Sequence, residues 1–312
     1  MEQRCVEKEQ KLKFIYLSIT NKCNYKCKYC PRNNEVDRIS ELPYNKIKEY
    51  IEERCKNNKI NGVVLSGGEP TMHKEFFEIL EYLNSKKLYV TILSNGSMLC
   101  NENFINKIKE IFDISKLDIV MTIYDIDKRI HDEGTGIEGS FDKTLEAFKL
   151  LIDNNIRVVL KHCISKQNYK RLWKFFRYFD NLLPLNIPFQ LTSLDFNGMN
   201  KKQLKENKFT YKEVRRYLNQ ALKHLNKKRL LHIVNTPLCA SDKEYWKYYV
   251  LKQKKAYDGY KSVGSEKKCI NYDCDCFSEI CKSCSVKDIC PGVYLTNYKY
   301  IGDDLVEKIQ IR

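Results

Sequence analysis

The first two hundred residues alternate short apolar runs, rich in β-branched residues, with longer segments whose apolar residues recur every three or four positions. Short runs of this kind are typical of buried parallel strands, and the longer segments are typical of amphipathic helices. Six strands are predicted, at Phe14–Ile19, Gly62–Leu65, Tyr89–Leu93, Asp118–Ile123, Arg157–His162 and Ile187–Leu191. Helices are predicted at Pro43–Lys56, His73–Ser85, Asn101–Ile114, Phe141–Asn154 and Leu172–Leu182. Six βα units predict an α/β fold built as a partial (β/α)6 TIM-like barrel, with a full barrel as the alternative.

The pattern changes in the C-terminal third. Tyr211–Lys228 predicts one basic amphipathic helix, and Leu230–Val234 predicts a further strand. Six cysteines then fall within residues 269–290. This shift predicts a barrel domain over residues 1–195 and a small cysteine-rich α+β domain over residues 196–312.

The composition is that of a globular protein, with 312 residues of which 43% are apolar and 30% charged. No apolar run approaches the roughly 18 residues of a membrane span, and the first residues are charged, which argues against a secretory signal. A cytoplasmic location is therefore expected, without a membrane partner. Fourteen cysteines in a long, Lys-rich chain indicate metal or redox chemistry rather than a disulfide framework.

The net charge of +15 is concentrated in residues 201–312, which hold 24 Lys and Arg against 13 Asp and Glu. Such a surface attracts RNA, an acidic peptide or a phosphorylated substrate, although a solvated helix face is the simpler interpretation. The aromatic residues of this region, Tyr245, Trp246, Tyr248 and Tyr249, follow no RNA-module motif. Nucleic acid is therefore not the favoured partner.

The first chemical motif is Cys23-Asn-Tyr-Lys-Cys27-Lys-Tyr-Cys30, directly after the first predicted strand. Three thiols in eight residues can converge on one metal centre, and their mixed spacing favours an iron–sulfur cube over a structural zinc site. Three ligands leave one iron of a cube without protein coordination. A catalytic metal needs such an open position.

The second motif, Ser66-Gly67-Gly68-Glu69-Pro70, follows the second strand. Barrels place their active sites at this carboxyl edge. Two glycines allow a ligand to approach the backbone closely, and the glutamate adds an acceptor. A plain turn is the alternative for this motif alone, but the neighbouring cysteines make the pair specific.

Together these motifs resemble the radical S-adenosylmethionine (radical SAM) superfamily, over about residues 13–195. The resemblance implies a [4Fe–4S] cluster held by Cys23, Cys27 and Cys30, whose open iron binds the amino and carboxylate groups of SAM. The implied SAM contacts are the Tyr29 backbone at the adenine, Gly67, Gly68 and Glu69 at the methionine amino group, and Ser94 and Asn95 at the ribose or methionyl part. A strand-to-helix turn is the alternative for Ser94-Asn95-Gly96.

The resemblance also implies the reaction. A reductant such as flavodoxin or ferredoxin supplies an electron to the cube, and SAM is cleaved to methionine and a 5′-deoxyadenosyl radical. That radical abstracts hydrogen from a substrate carbon. The cofactor supplies the difficult chemistry, while the protein orients the substrate.

A second cysteine group, Cys281-x2-Cys284-x5-Cys290, resembles the auxiliary-cluster module of the SPASM and twitch subgroups. No cysteine follows Cys290, so the resemblance implies one auxiliary [4Fe–4S] cluster, the twitch arrangement. Cys239 is the expected fourth ligand, with Cys269 and Cys276 as alternatives.

Two other roles are open for the remaining cysteines. A zinc knuckle is the alternative to the auxiliary cluster, built from Cys274, Cys276, Cys281 and Cys284. Small buried apolar side chains are the expected role of Cys5, Cys55, Cys100 and Cys163.

The segment after the fourth strand also resembles SPASM-type enzymes, through His131-Asp132 and Gly139-Ser140-Phe141 in a loop. Ser140 is predicted to cap the next helix. Lys161 and His162, at the end of the fifth strand, are candidate partners of the SAM carboxylate.

Modification of a ribosomally made peptide is the favoured function, as many SPASM and twitch enzymes perform it. The alternative is radical oxidation or rearrangement of a small molecule such as a sugar, nucleotide or antibiotic intermediate. RNA modification is less favoured, and a zinc-binding adaptor without enzymatic activity is the weakest hypothesis.

Overall fold

The computed structural model describes residues 13–32, 39–58, 60–251, 259–262, 265–267 and 278–310. Nine strands lie in these ranges: β1 Phe14–Thr20, β2 Gly62–Gly67, β3 Tyr89–Ser94, β4 Leu117–Thr122, β5 Arg157–Ile164, β6 Phe189–Ser193, β7 Leu231–Val234, β8 Gly259–Ser262 and β9 Ser265–Lys267.

These strands form one open sheet in the order β7-β6-β5-β4-β3-β2-β1-β8-β9. All neighbours from β7 to β8 are parallel, and only the β8–β9 pair is antiparallel. Because β1 and β7 do not pair with each other, the barrel is partial rather than closed. The predicted α/β partial barrel is confirmed.

Helices follow the strands along the chain, as βα connections require. They are α1 Tyr44–Asn58, α2 Phe76–Ser85, α3 Glu102–Ile111, α4 Lys128–Thr135, α5 Ser140–Asp153, α6 Leu172–Leu182, α7 Lys201–Asn207, α8 Tyr211–His224 and α9 Leu295–Ile301.

The core lies between the sheet and these helices. Along β5, alternate residues are buried while those between them are more exposed, which is the period of two expected of a strand. His162, on the buried face of β5, has its ring 3.8 Å from that of Phe175 on α6. The buried residues of α6 follow helical spacing, at Leu172, Phe175, Phe176 and Phe179.

The segment between β4 and α5 differs from its prediction as a loop, because it contains α4. Ser140 is not the cap of α5 but its first residue. The donors at the start of α5 are satisfied by Asp132, whose carboxylate accepts the Ser140 hydroxyl and the backbone N–H groups of Gly139 and Phe141 at 2.7–2.8 Å. An acidic side chain from α4 has therefore replaced the local cap.

The predicted strand at Leu230–Val234 is β7, and it extends the barrel sheet beyond the predicted domain boundary near residue 196. β8 joins the same sheet from the other side, next to β1. The two-domain division stays a prediction. Among the described residues, no helix is both long and apolar enough to cross a membrane.

Candidate active site

The three-cysteine motif forms a loop that leaves the carboxyl end of β1. Cys23 is exposed, while Cys27 and Cys30 are partly buried. Tyr25 anchors the loop, since its side chain is buried and its backbone N–H donates to Cys23 Sγ at 3.4 Å. Backbone amides directed at cysteine sulfur are suited to a thiolate that binds metal.

The two glycines of the second motif let the end of β2 lie directly against this loop. The Gly68 N–H donates to Thr20 O, and the Glu69 N–H donates to Lys22 O, both at 2.7 Å. A Cβ atom on Gly68 would lie 2.1 Å from Lys22 O. Gly67 has φ +141°, in a region that side chains rarely adopt. The two glycines thus pack against the backbone that leads from β1 into the cysteine loop. Their contacts with SAM stay a prediction.

Glu69 is fully buried and joins the ends of β2 and β3. Its Oε1 accepts the Thr71 N–H, the Thr71 hydroxyl and the Ser94 hydroxyl at 3.2, 2.6 and 2.9 Å. Its Oε2 accepts the Asn95 N–H at 2.6 Å. Burial raises the pKa of the Glu69 carboxyl despite these donors.

The charge environment of the Glu69 carboxyl indicates whether SAM suits the site. No ion pair among the described residues involves Glu69, so its charge is buried without a Lys or Arg partner. A buried carboxylate is stabilised by hydrogen-bond donors, by a compensating charge or by protonation. An ammonium or sulfonium group nearby would supply that charge. The residues present therefore fit a positively charged ligand such as SAM.

Asn95 connects β3 to the cysteine loop. Its Nδ2 donates to Asn24 Oδ1 at 2.9 Å and lies 3.8 Å from Cys23 Sγ, while its Oδ1 accepts the Ser97 N–H. Ser94 is buried, and its hydroxyl also accepts the Gly96 N–H at 3.0 Å. Ser94 and Asn95 therefore hold the turn and the loop together, and their contacts to SAM stay a prediction.

Other segments hold the opposite side of the loop. The Thr135 and Gly134 carbonyls at the end of α4 accept the N–H groups of Lys26 and Lys28 at 2.9 and 2.8 Å. Gln203, on α7, donates from Nε2 to Lys28 O at 2.9 Å. Sequence reasoning missed α4 and Gln203, because short polar helices carry little apolar periodicity.

Tyr29 packs edge-to-face against Tyr124, with ring centroids 5.7 Å apart. Tyr124 follows β4, and its N–H donates to His131 Nδ1 at 3.3 Å. His131 is buried, and burial lowers its pKa to about 4, so it is neutral and can accept this bond. His131 therefore acts on the backbone of Tyr124, and no contact with a substrate is needed to explain it.

The three thiols of the loop influence one another electrostatically. Burial, with the neighbouring Cys23 and Cys30 thiols, raises the pKa of Cys27 to about 12. Burial also raises the pKa of Cys23, to which Glu69 and Cys30 contribute. In the described part of the chain, no group of three or more His, Cys, Asp or Glu side chains is arranged to hold one metal ion. A cube has a different need, since each thiolate binds a separate iron.

A second group of thiols gathers near the end of β7. Cys239 lies in a buried 3-10 turn, Leu238–Ala240, and burial together with Cys290, Cys281 and Cys284 raises its pKa to about 12. Cys290 is buried, and its sulfur accepts the N–H groups of Leu238 and Gly292, each at 3.4 Å. These are the four thiols expected to bind the auxiliary cluster. Cys269, Cys274 and Cys276 lie outside the described residues, as does Cys5.

The two basic candidates on β5 point in different directions. His162 is buried against α6, donating from Nδ1 to Ile123 O at 2.8 Å. Lys161 lies on the other face of the strand and is partly exposed. Lys161 therefore remains the candidate for the SAM carboxylate, whereas His162 belongs to the core. Cys55, Cys100 and Cys163 are partly exposed rather than buried.

Fold and site define a class of protein: an open α/β barrel that carries a three-thiol loop against a Gly-Gly-Glu turn at its carboxyl edge. Comparison with known families matches residues 17–179, just over half of the chain, to the radical SAM superfamily. The chain belongs to this superfamily. It is therefore an enzyme of a family that binds a [4Fe–4S] cluster and SAM. The resemblance drawn from the two motifs is confirmed.

Two sequence relatives and one solved structure are similar to this chain. The chain is 28% identical over 157 residues to Fe-coproporphyrin III synthase of Methanosarcina barkeri, across 50% of this chain and 38% of that protein. It is 26% identical over 152 residues to the antilisterial bacteriocin subtilosin biosynthesis protein AlbA of Bacillus subtilis, across 48% of this chain and 33% of that protein. The chain thus spans less than half of either relative.

The third is Streptococcus suis SuiB, whose structure bound to its precursor peptide SuiA superimposes with a TM-score of 0.63 at 16% identity. This superposition covers 96% of the present chain and 75% of SuiB. The likeness includes the C-terminal region as well as the barrel, and it shows a shared fold.

Proposed function

We propose that this enzyme modifies a ribosomally made peptide by radical SAM chemistry, with a [4Fe–4S] cluster on Cys23, Cys27 and Cys30. The observation that carries the catalytic part is the contact between the three-thiol loop and the network around Glu69. Bound SAM would supply methionine and a 5′-deoxyadenosyl radical that removes a hydrogen atom from the substrate.

Each residue of the site would have a separate role in binding SAM or in holding the cysteine loop. Glu69 would compensate the positive charge of SAM, and Asn95 would fix the cysteine loop at Cys23. The backbone of Tyr29 would meet the adenine, and Gly67 and Gly68 would bring the turn close to the amino group. Lys161 would offer a cation to the SAM carboxylate from the partly exposed face of β5.

We further propose that Cys239, Cys281, Cys284 and Cys290 hold one auxiliary [4Fe–4S] cluster. Mutual electrostatic effects among the four thiols and two N–H donors at Cys290 support this assignment. With cysteine on every iron, no position is open for a substrate, so electron transfer is the role that fits.

Iron content tests the two-cluster assignment. Reconstituted protein should hold about eight iron atoms per chain, and a variant with Cys23, Cys27 and Cys30 changed to Ala should hold about four. Cys239→Ala should lose iron from the auxiliary cluster and stop product formation, while SAM cleavage continues. Cys55→Ala, which removes a partly exposed thiol on α1, is the matched control. Full iron content and turnover in Cys239→Ala would exclude Cys239 as a ligand.

The peptide substrate is supported by two of the comparisons. AlbA is named for bacteriocin biosynthesis, and SuiB was solved with a precursor peptide. Fe-coproporphyrin III synthase, whose name describes a porphyrin product, supports the small-molecule alternative. The basic C-terminal region offers an electrostatic reason for binding an acidic segment of a peptide.

Co-expression tests the substrate class. The enzyme is produced anaerobically together with each short open reading frame next to its gene, and the resulting peptides are measured by mass spectrometry. A mass change that depends on Cys27 supports peptide modification. If the enzyme cleaves SAM but leaves every peptide unmodified, and a labelled metabolite is modified instead, the small-molecule alternative is established.

A reductant such as flavodoxin or ferredoxin belongs to the proposal, because SAM cleavage consumes an electron. A cytoplasmic location is proposed for a related reason. Two sets of metal-binding thiols need a compartment that keeps cysteine reduced.

A further inference from the structure

Four polar residues form a row across β4, β5, β6 and β7. Strand pairing places Thr122 beside Lys161, Lys161 beside Gln190, and Gln190 beside His232. Paired residues of neighbouring parallel strands point to the same side of a sheet, and the strands lie about 5 Å apart. The four residues therefore share one face and span about 14 Å, which is the length of about four residues of an extended peptide.

This face of the sheet points away from the helices. Phe189, the residue before Gln190, stacks on Phe176 of α6 with ring centroids 6.1 Å apart, so Gln190 points to the opposite side. The row is partly exposed, most of all at His232. Within the described ranges, no hydrogen bond or ion pair engages its four side chains. Their polar groups are therefore available to a ligand.

The row lies next to the site already described. It extends from β4 to β7, beside the strands β1 to β3 whose ends carry the cysteine loop and the Gly-Gly-Glu turn. The segment that follows Cys290 covers the ends of β6 and β7. Its Asn297 donates from Nδ2 to Leu194 O at 2.8 Å, and its Tyr294 hydroxyl accepts Asn235 Nδ2 at 2.8 Å. A ligand on the row would thus lie close to both the SAM site and this C-terminal segment.

We propose that Gln190 and His232 are substrate-binding residues, which hold backbone amide groups of the peptide along this row. A glutamine side chain has an N–H₂ donor and a carbonyl acceptor, which together complement one peptide amide. A neutral histidine ring also has one donor and one acceptor. Lys161, the neighbour of Gln190, is the residue proposed for the SAM carboxylate, so the row places the peptide beside SAM. This inference rests on the proposed function, because it needs a peptide substrate.

Steady-state kinetics of the reconstituted enzyme test this role, with the precursor peptide whose mass changes on co-expression as the probe. Gln190→Leu keeps a side chain of similar size but removes its donor and acceptor. KM for the peptide should rise roughly tenfold, the effect of losing two hydrogen bonds, while kcat stays unchanged. Formation of 5′-deoxyadenosine in the absence of peptide should equal that of the wild type. Gln220→Leu, on the exposed face of α8, is the matched control and should leave KM unchanged.

Two replacements of His232 test the other end of the row. His232→Gln keeps a donor and an acceptor, so KM should stay within about threefold of the wild-type value. His232→Leu removes both, and KM should rise as it does for Gln190→Leu. Urea unfolding of each variant separates binding from folding, because loss of a purely structural residue would lower the free energy of unfolding without raising KM.

An unchanged KM in both Gln190→Leu and His232→Leu would overturn the inference, whereas a raised KM with unchanged SAM cleavage in both would establish it. Failure of the proposed function gives a different result. The wild-type enzyme would then cleave SAM without modifying any peptide, and the inference would fall together with the proposed function.

Discussion

Glu69 accepts four hydrogen bonds in the site, and it has no cationic partner among the described residues. Glu69→Gln would place an amide N–H₂ against a donor and remove the charge. We expect SAM affinity to fall at least about tenfold and the free energy of unfolding to fall by about 1–3 kcal/mol. Isothermal titration calorimetry and urea unfolding measure the two effects.

Glu75→Gln is the matched control, since Glu75 accepts the Tyr44 N–H at 3.3 Å outside the site. Its SAM affinity should equal that of the wild type. Undiminished SAM affinity in Glu69→Gln would show that the carboxylate serves only the fold.

Buried histidines predict how stability depends on pH. Burial lowers the pKa of His162 to about 4, against about 6.5 in an unfolded chain. The unfolded chain therefore binds more protons between these values, and the stabilisation present above pH 6.5 is lost as the pH falls toward 4. At pH 5 the loss from His162 should be about 2 kcal/mol.

Urea unfolding at pH 7 and pH 5 checks this effect. His162→Gln should be less stable than the wild type at pH 7 but should lose less stability on acidification. His232→Gln is the control, because His232 is exposed on β7. Equal pH dependence in wild type and His162→Gln would rule out His162 as the titrating group.

At the scale of elements, the cysteine loop depends on the close approach of the turn after β2. Gly68→Ala would place a Cβ atom 2.1 Å from Lys22 O, which is backbone and cannot move aside cheaply. We expect a loss of about 1–3 kcal/mol in stability and a marked loss of iron from the first cluster. Iron analysis and urea unfolding measure both.

Gly139→Ala separates backbone strain from damage to the loop. Gly139 has φ +76°, and a Cβ atom at this position would have no neighbour within 4 Å, so the replacement is strained without a clash. It should reduce stability but keep the full iron content. If Gly139→Ala loses as much iron as Gly68→Ala, the iron loss results from general destabilisation of the protein and not from damage to the cysteine loop.

Elements were predictable wherever apolar residues recur regularly. β1 to β7 and α6 follow their predicted positions closely, because each buries one patterned face. α8 begins at the predicted Tyr211 but ends at His224, short of the predicted Lys228. α4 was missed since Ile130 is the one strongly apolar residue within it. The contacts of its terminal carbonyls with the cysteine loop are long-range, and no local pattern encodes them.

Buried polar links show the same limit. Arg229 has a fully buried side chain that donates to Asp180 Oδ1 at 2.8 Å and to the carbonyls of Leu183 and Ile187. It fixes the end of α6 to the start of β7. In the sequence, Arg229 falls between a predicted helix and a predicted strand, in a lysine-rich segment. The local sequence does not distinguish this buried cation from the neighbouring lysines.

At the scale of the whole molecule, one sheet unites the barrel with the C-terminal region through β7 and β8. The thiols of Cys239 and Cys290 lie directly beyond β7 along this framework. The two cysteine motifs named three thiols of each group, whereas Cys239 was one of several candidates for the fourth ligand. Both thiol groups adjoin the same sheet because of parallel strand pairings between residues far apart in the sequence. Composition does not reveal such pairings.

The central claim is that the three-thiol loop and the Gly-Gly-Glu turn form a site for reductive cleavage of SAM. The most direct measurement is the formation of 5′-deoxyadenosine and methionine from SAM by anaerobically reconstituted, dithionite-reduced protein, followed by liquid chromatography and mass spectrometry. The wild type should produce both, and Cys27→Ala should produce neither, because the cluster then loses one of its three ligands. No 5′-deoxyadenosine from cluster-loaded wild type, or an equal amount from Cys27→Ala, would contradict the assignment of this site.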